Sequence, residues 1–255
     1  MKNLISKGIT FLLLTTLAGS TVKGQTAYNQ FKKTNAKVSE IADKLEDSLK
    51  KQFFEKKISW PPQEVYLRSF KYDRVLEMWV KGCANEPYTL FKSYKVCMQS
   101  GSMGPKRMEG DYQVPEGFYY ISEFNPNSNY HLALGISYPN ASDKILSDST
   151  RPGGKIYVHG NCVSTGCIAI NDQQIEEVYL LSTLAKEEGQ DFIPIHVFPV
   201  KYNVAKSFEY LASATKENQS LQEFAITLKE AFDFFEQKKK LPLVMVNKKG
   251  QYIVN

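Results

Sequence analysis

The 255-residue sequence predicts a mixed, mainly β fold: a β-sandwich-like core with an N-terminal helix, an internal helix after Cys167, and a C-terminal helix plus hairpin. Three observations carry that prediction. Between residues 63 and 140, short aromatic and β-branched segments alternate with turn residues, the pattern of a sheet-rich region. Near both ends, apolar residues recur at helical spacing among charges. After Cys167, Asn171 and Asp172 open a third stretch with the same period. With 42% hydrophobic and 23% charged residues, the chain has enough apolar surface for one principal domain with additions.

Residues 1–24 lie outside that fold. Lys2 and Lys7 precede an apolar run from Ile9 to Ala18, and Val22-Lys23-Gly24 supplies a cleavage point, so this is a secretory signal peptide, too short to be a good membrane span. No cysteine near the cleavage point suggests a lipid anchor, and no stable membrane insertion is expected after cleavage. Cleavage removes three lysines and no acid, taking the formal charge from +5 to +2. Little support then remains for a nucleic-acid partner, because no basic stripe with interleaved aromatics survives.

From Phe31 to about Phe54, within the region 25–60, Val38, Ile41, Leu45, Leu49 and Phe53 make one apolar face. The outer face carries charges of both signs, which favours docking on the main domain over contact with a membrane. Trp60-Pro61-Pro62 ends this helix and opens the domain 61–200. Strands are expected at Val65–Leu67, Val75–Val80, Tyr88–Phe91, Tyr94–Met98 and Gly117–Ile121. The loop Ser100–Gly110 carries Lys106 and Arg107 but lacks the ending of a phosphate cradle, and Glu109 and Asp111 read as turn formers. His131 falls in a β-type alternation between Asn125 and Asn140.

The run Lys155-Ile-Tyr-Val-His159-Gly160-Asn-Cys162-Val-Ser164-Thr165-Gly166-Cys167 brings a β-prone segment into a polar loop that ends at a cysteine. Past Gly189, which ends the helix after Asn171, Phe192–Phe198 reads as an edge strand because of Pro194 and Pro199, with His196 structural. Residues 201–255 supply a helix over roughly Leu221–Lys238 and a hairpin about Asn247-Lys248-Lys249-Gly250, packed on the core.

A thiol is mostly protonated at neutral pH, and a nearby imidazole can take its proton, so Cys167 and His159 form a candidate nucleophile and base. Gly166 lets the backbone approach a carbonyl, and the amides of Gly166 and Cys167 could face the oxygen that becomes negative. Competing readings are a structural thiol, a Cys162–Cys167 disulfide or a metal site; the metal reading is weak because the histidines and cysteines have no ligand spacing. In an exported chain, a free Cys167 leaves Cys83, Cys97 and Cys162 with at most one bridge, either Cys83–Cys97 or Cys97–Cys162.

His-Gly, a short loop and then Ser-x-Gly-Cys resembles the signature of the L,D-transpeptidase (YkuD-type) family, and most of all its short-loop, YafK-like murein branch. The likeness runs across residues 60–200 and includes Tyr66–Lys71, Ser100–Lys106, Glu109–Asp111, Pro115–Tyr119, Phe124–Leu132 and Tyr138–Asn140. The resemblance implies an L,D-transpeptidase catalytic core over 61–200, with Cys167 as nucleophile, His159 as base, the Gly160 carbonyl orienting the imidazole and the amides near Gly166 as the oxyanion site. It puts the loop Ser100–Gly110 beside the groove, and Tyr130, His131, Ser164 and Thr165 against the substrate. The wider family has His-Gly before the nucleophile and an arginine where Ala169 stands; Arg151 and Lys155 are the nearest basic candidates to replace it, and Arg151 is assigned to the substrate site.

The implied function is that of an exported, periplasmic cysteine enzyme acting on peptidoglycan stem peptides, with no cofactor and no metal. Cys167 would form a thioester at the third residue and expel D-alanine, and an amine, a wall-linked protein or water would resolve it. Two alternatives are a hydrolase of the same family, trimming stems or releasing wall-bound protein, and a non-catalytic, disulfide-bonded wall-binding module.

Overall fold

The computed structural model describes residues 35–255, so the expected signal peptide and the start of the expected first helix lie outside the described residues. Helix α1 (Ala36–Glu55) begins at Asn35, whose side chain accepts from the Val38 amide, and buries Val38, Ile41, Ala42, Leu49 and Phe53. A donor left orphaned by the first turn is thus satisfied, and the apolar stripe read from the sequence is the face that packs. Three strands follow, β1 (Glu64–Phe70), β2 (Val75–Lys81) and β3 (Thr89–Lys95), paired antiparallel in a meander.

β4 (Gly117–Asn125) is the joint of the molecule. Its first half pairs with β8 (Pro194–Phe198) and, past a register shift between Ile121 and Glu123, its second half pairs with β5 (Ala133–Ile136). After the short helix α2 (Ala141–Leu146) come β6 (Tyr157–His159), β7 (Ile168–Ala169) and helix α3 (Asp172–Glu187). The eight strands form one sheet in the order β3-β2-β1-β8-β4-β5-β6-β7. The expected mixed, mainly β architecture is therefore present, as a single sheet curled so far that its ends meet. Cys97 and Met98, just past β3, hydrogen-bond to Ala169 of β7, and Cys97 is disulfide-bonded to Cys162.

Side chains of β1 alternate between two helical layers, as the two-residue period of a strand requires. Val65 and Leu67 pack with α1 and α3, whereas Phe70 faces helix α4 (Ala205–Thr215), helix α5 (Gln219–Lys238) and the hairpin of β9 (Val244–Val246) and β10 (Tyr252–Val254). Tyr66 packs on Phe235 of α5 at a centroid distance of 4.9 Å. Arg68 lies on that second face, fully buried, ion-paired to Glu77 and Glu236 and stacked over Phe235. Burial on both faces encloses every residue of β1 after Glu64, the polar Arg68 and Ser69 among them.

Three expectations change. β8 is not an edge strand: it lies between β1, with which it is parallel, and β4. Pro194 is its first residue, where the missing N–H costs the ladder nothing. The two segments expected at residues 88–98 are one strand that runs on into the bridge at Met98. Helices α2 and α4 were not anticipated at all.

Candidate active site

β6 and β7 run parallel in register, with Val158 opposite Ile168 and His159 opposite Ala169. One strand ends on the imidazole and the other begins just after the thiol, so two adjacent strand ends present both groups on one side. His159 and Cys167 line a single cavity of about 310 Å³ together with Tyr130, Lys155, Tyr157 and an asparagine-rich turn at Asn125–Asn129. Cys167 is a free thiol, as is the exposed Cys83, because Cys97 pairs with Cys162. Of the pairings open from the sequence, the bridge is the one that anchors the active-site loop.

His159 is buried, and its Nδ1 lies 2.6 Å from the Gly160 carbonyl oxygen. A carbonyl only accepts, so Nδ1 carries the proton and Nε2 keeps its lone pair. Burial lowers the imidazole pKa from its ordinary value, against the opposing effect of that hydrogen bond. Tyr130 covers the ring at a centroid distance of 4.8 Å. Gly160 has to be glycine because its vacant Cβ position lies 2.5 Å from Asp172 Oδ1 and 3.0 Å from the Tyr130 carbonyl. The Gly160 amide donates to the carbonyls of Tyr130 and Leu132, locking the residue after the histidine.

Burial also raises the Cys167 pKa; a backbone hydrogen bond from Tyr157 and the Lys106 charge act the other way. The thiol lies 3.8 Å from the Lys155 carbonyl. The Ser164 hydroxyl accepts from the Cys167 amide at 2.8 Å and reaches the Cys167 carbonyl at 2.7 Å, closing a tight turn around Gly166, whose φ is +119°. Only glycine adopts that φ without strain. Among the described residues, no group of three or more His, Cys, Asp or Glu is placed to hold a metal ion.

The family model for the YkuD L,D-transpeptidase catalytic domain matches residues 85–195. An Escherichia coli (strain K12) protein named "Putative L,D-transpeptidase YafK" is 36% identical over 193 residues, which span 75% of this chain and 74% of that one. The chain belongs to the L,D-transpeptidase family. Its E. coli O157:H7 counterpart matches to the same extent. Among solved structures, the helical cell shape determining protein Pgp2 from Campylobacter jejuni aligns with a TM-score of 0.43 at 20% identity, over 72% of this chain and 73% of that one. Bd1075 from Bdellovibrio bacteriovorus aligns with a TM-score of 0.39 at 18% identity, over 75% and 80%.

Within this member of the L,D-transpeptidase family the residues expected at the site divide. Cys167, His159, Gly160 and Gly166 converge on one loop, and Tyr130 joins the cavity. His131 turns away: at φ +68° it leaves strand geometry, and its Nε2 meets Glu176 Oε1 on α3 at 2.9 Å. Ser164 is spent on the turn, and the Cys167 amide it occupies is not free to receive an oxyanion, which leaves Gly166 as the candidate donor. Thr165 and Arg151 are exposed and line no part of the cavity. Arg151 belongs to a turn in which its amide donates to Asp148 and its carbonyl accepts from Glu109.

The loop Ser100–Gly110 does not line this cavity. It walls a separate one, of about 720 Å³, against α5 and the hairpin. Asp111 is the turn former expected, accepting from the amides of Arg107, Met108 and Gln113. Nor is Cys167 at a helix N-terminus, since β7 and Ile170 separate it from Asn171, the N-cap of α3. The asparagine turn at 125–129 and Tyr157 are site residues that period-based reading passes over. The cluster Asn-Pro-Asn-Ser-Asn was the available signal.

Proposed function

We propose that this L,D-transpeptidase is a cysteine acyltransferase of peptidoglycan stem peptides, exported to the cell envelope by its first 24 residues. The observation that supports it most is the single cavity shared by a free Cys167 and by His159, whose Nε2 is left as proton acceptor by the Gly160 carbonyl.

Nε2 takes the thiol proton as Sγ attacks the carbonyl of the third stem residue, a diamino acid such as diaminopimelate. The Gly166 amide faces the developing oxyanion. The C–N bond to D-alanine then breaks, the imidazolium returns its proton to the departing amine, and a thioester remains on Cys167. An incoming amine, from a second stem or a wall-linked protein, gives its proton to His159 and takes the acyl group. Water at the same step makes the enzyme a hydrolase. With Cys97 and Cys162 joined and Cys167 free, the thiols do not match the fully oxidised wall-binding module.

The test is mass spectrometry of products from a disaccharide tetrapeptide, with Cys167→Ala alongside. Cross-linked dimers establish a transpeptidase, and tripeptide alone a hydrolase. Turnover retained in Cys167→Ala would sink both.

A further inference from the structure

The wall of the reactive cavity contains one cation, Lys155, and no carboxylate. Its other members are asparagines, Ser128, two tyrosines and Ala133 around the histidine and the thiol. Lys155 stands at φ +54°, a left-handed conformation that is unfavourable for a residue with a Cβ and that persists where surroundings impose it, often at functional sites. The turn has an evident use. It brings the Lys155 carbonyl to 3.8 Å from Sγ while Tyr157, two residues on, supplies a backbone hydrogen bond to the same sulfur. The chain thereby wraps the nucleophile, and Lys155, itself exposed, lines the cavity beside it.

The neighbouring charges are otherwise engaged. Lys106 is buried and bound to Asp111 and the Met108 carbonyl, and Glu123 accepts from the Tyr157 hydroxyl at 3.0 Å. Among the described residues Lys155 has no ion-pair partner. A free ammonium at the edge of a neutral cavity favours an anionic group on whatever peptide enters.

We propose that Lys155 is the specificity-determining residue that holds a carboxylate of the acyl donor beside the carbonyl attacked by Cys167. The assignment rests on the stem-peptide reading above, in which the donor carries two carboxylates near the scissile bond: the chain-terminal one and the side-chain one of its third residue.

The test separates binding from turnover. In a Cys167→Ala background, dissociation constants are measured by calorimetry for the tetrapeptide donor, for the donor amidated at its terminal carboxylate and for the donor amidated at its side-chain carboxylate, with and without Lys155→Met. Methionine keeps the stem length and the same left-handed backbone cost. Expected is about a tenfold or greater loss of affinity for the free donor on Lys155→Met, the scale of a charge-assisted hydrogen bond. One of the two amidated donors should be weak already and lose nothing further, and that donor identifies the carboxylate held. Lys155→Arg should restore the preference. With the catalytic thiol present, KM rather than kcat should rise in Lys155→Met.

Equal losses for free and for both amidated donors would overturn the assignment even if wild-type turnover is normal. Carboxylate-dependent binding without turnover would leave it standing and sink the acyltransferase reading instead. No binding of any donor would overturn both.

Discussion

Burial acts on Cys167 and His159 in opposite numerical directions and to one chemical end: it raises the thiol and lowers the imidazole, so both groups rest uncharged. A resting thiolate–imidazolium pair would instead need the thiol depressed and the imidazole raised. The alkylation rate of Cys167 by iodoacetamide should therefore climb only on an alkaline limb above its ordinary value of 9.0, with no reactive plateau near neutrality. A plateau below pH 7 in rate-versus-pH measurements would contradict the neutral pair. These two residues were legible in the sequence because the chemistry depends on a loop of a few residues that glycines and serine can close locally. His131 was not. Its alternation with neighbours looks like a strand, but its position is decided by Glu176, which lies 45 residues further on. Arg151 and Lys155 were both marked by nearness along the chain; only Lys155 lines the cavity, and Arg151 is held in its own turn.

Elements with a strong apolar period were legible, and those whose buried positions are small or polar were not. α4 buries Ser207, Leu211 and Thr215, leaving Phe208 and Tyr210 partly exposed, so no apolar stripe marks it. β8 was seen but misplaced, because Pro194 is compatible both with an edge and with the first residue of a central strand. Its central place has a consequence in acid. His196 on β8 is fully enclosed beside Tyr66, and burial, with repulsion from Arg68, depresses it to about 3. The folded chain then binds fewer protons than the unfolded chain below pH 6.5, so stability is complete above that pH and falls as pH drops towards 3. The loss should be on the order of 3–5 kcal/mol. Urea denaturation as a function of pH should give a flatter acid limb for His196→Gln; an unchanged slope would argue against this origin. The Cys97–Cys162 link spans 65 residues and ties the end of β3 to the reactive loop. Replacing both by serine should cost about 2–4 kcal/mol in the same experiment and reduce turnover further than stability alone accounts for.

At the scale of the whole molecule, the sheet is held between two helical layers whose cores meet through single strands. Phe235 of α5 is fully buried among Tyr66, Trp79 and Tyr88, with Arg68 over its ring. Phe235→Ala should cost about 3–5 kcal/mol. The two tryptophans sit on opposite faces, Trp60 against the α1 layer and Trp79 against α5, so single-tryptophan variants report each layer separately. Coincident fluorescence transitions are expected because β1 serves both layers; two separated midpoints would mean that residues 201–255 unfold on their own. That coupling was the least legible feature of the sequence, since the partners of Arg68, Glu77 and Glu236, stand on different elements and only the fold assembles them.

The position of β8 also sets when this chain becomes useful. Residues 194–198 follow Cys167 in the chain, yet β8 stands between β1 and β4 in the middle of the sheet, so the two halves of the sheet are joined only once that strand is in place. The free thiol thus precedes, in chain order, a strand that the scaffold around it needs, and the sheet that carries the site is complete only after residues 194–198 have taken their place.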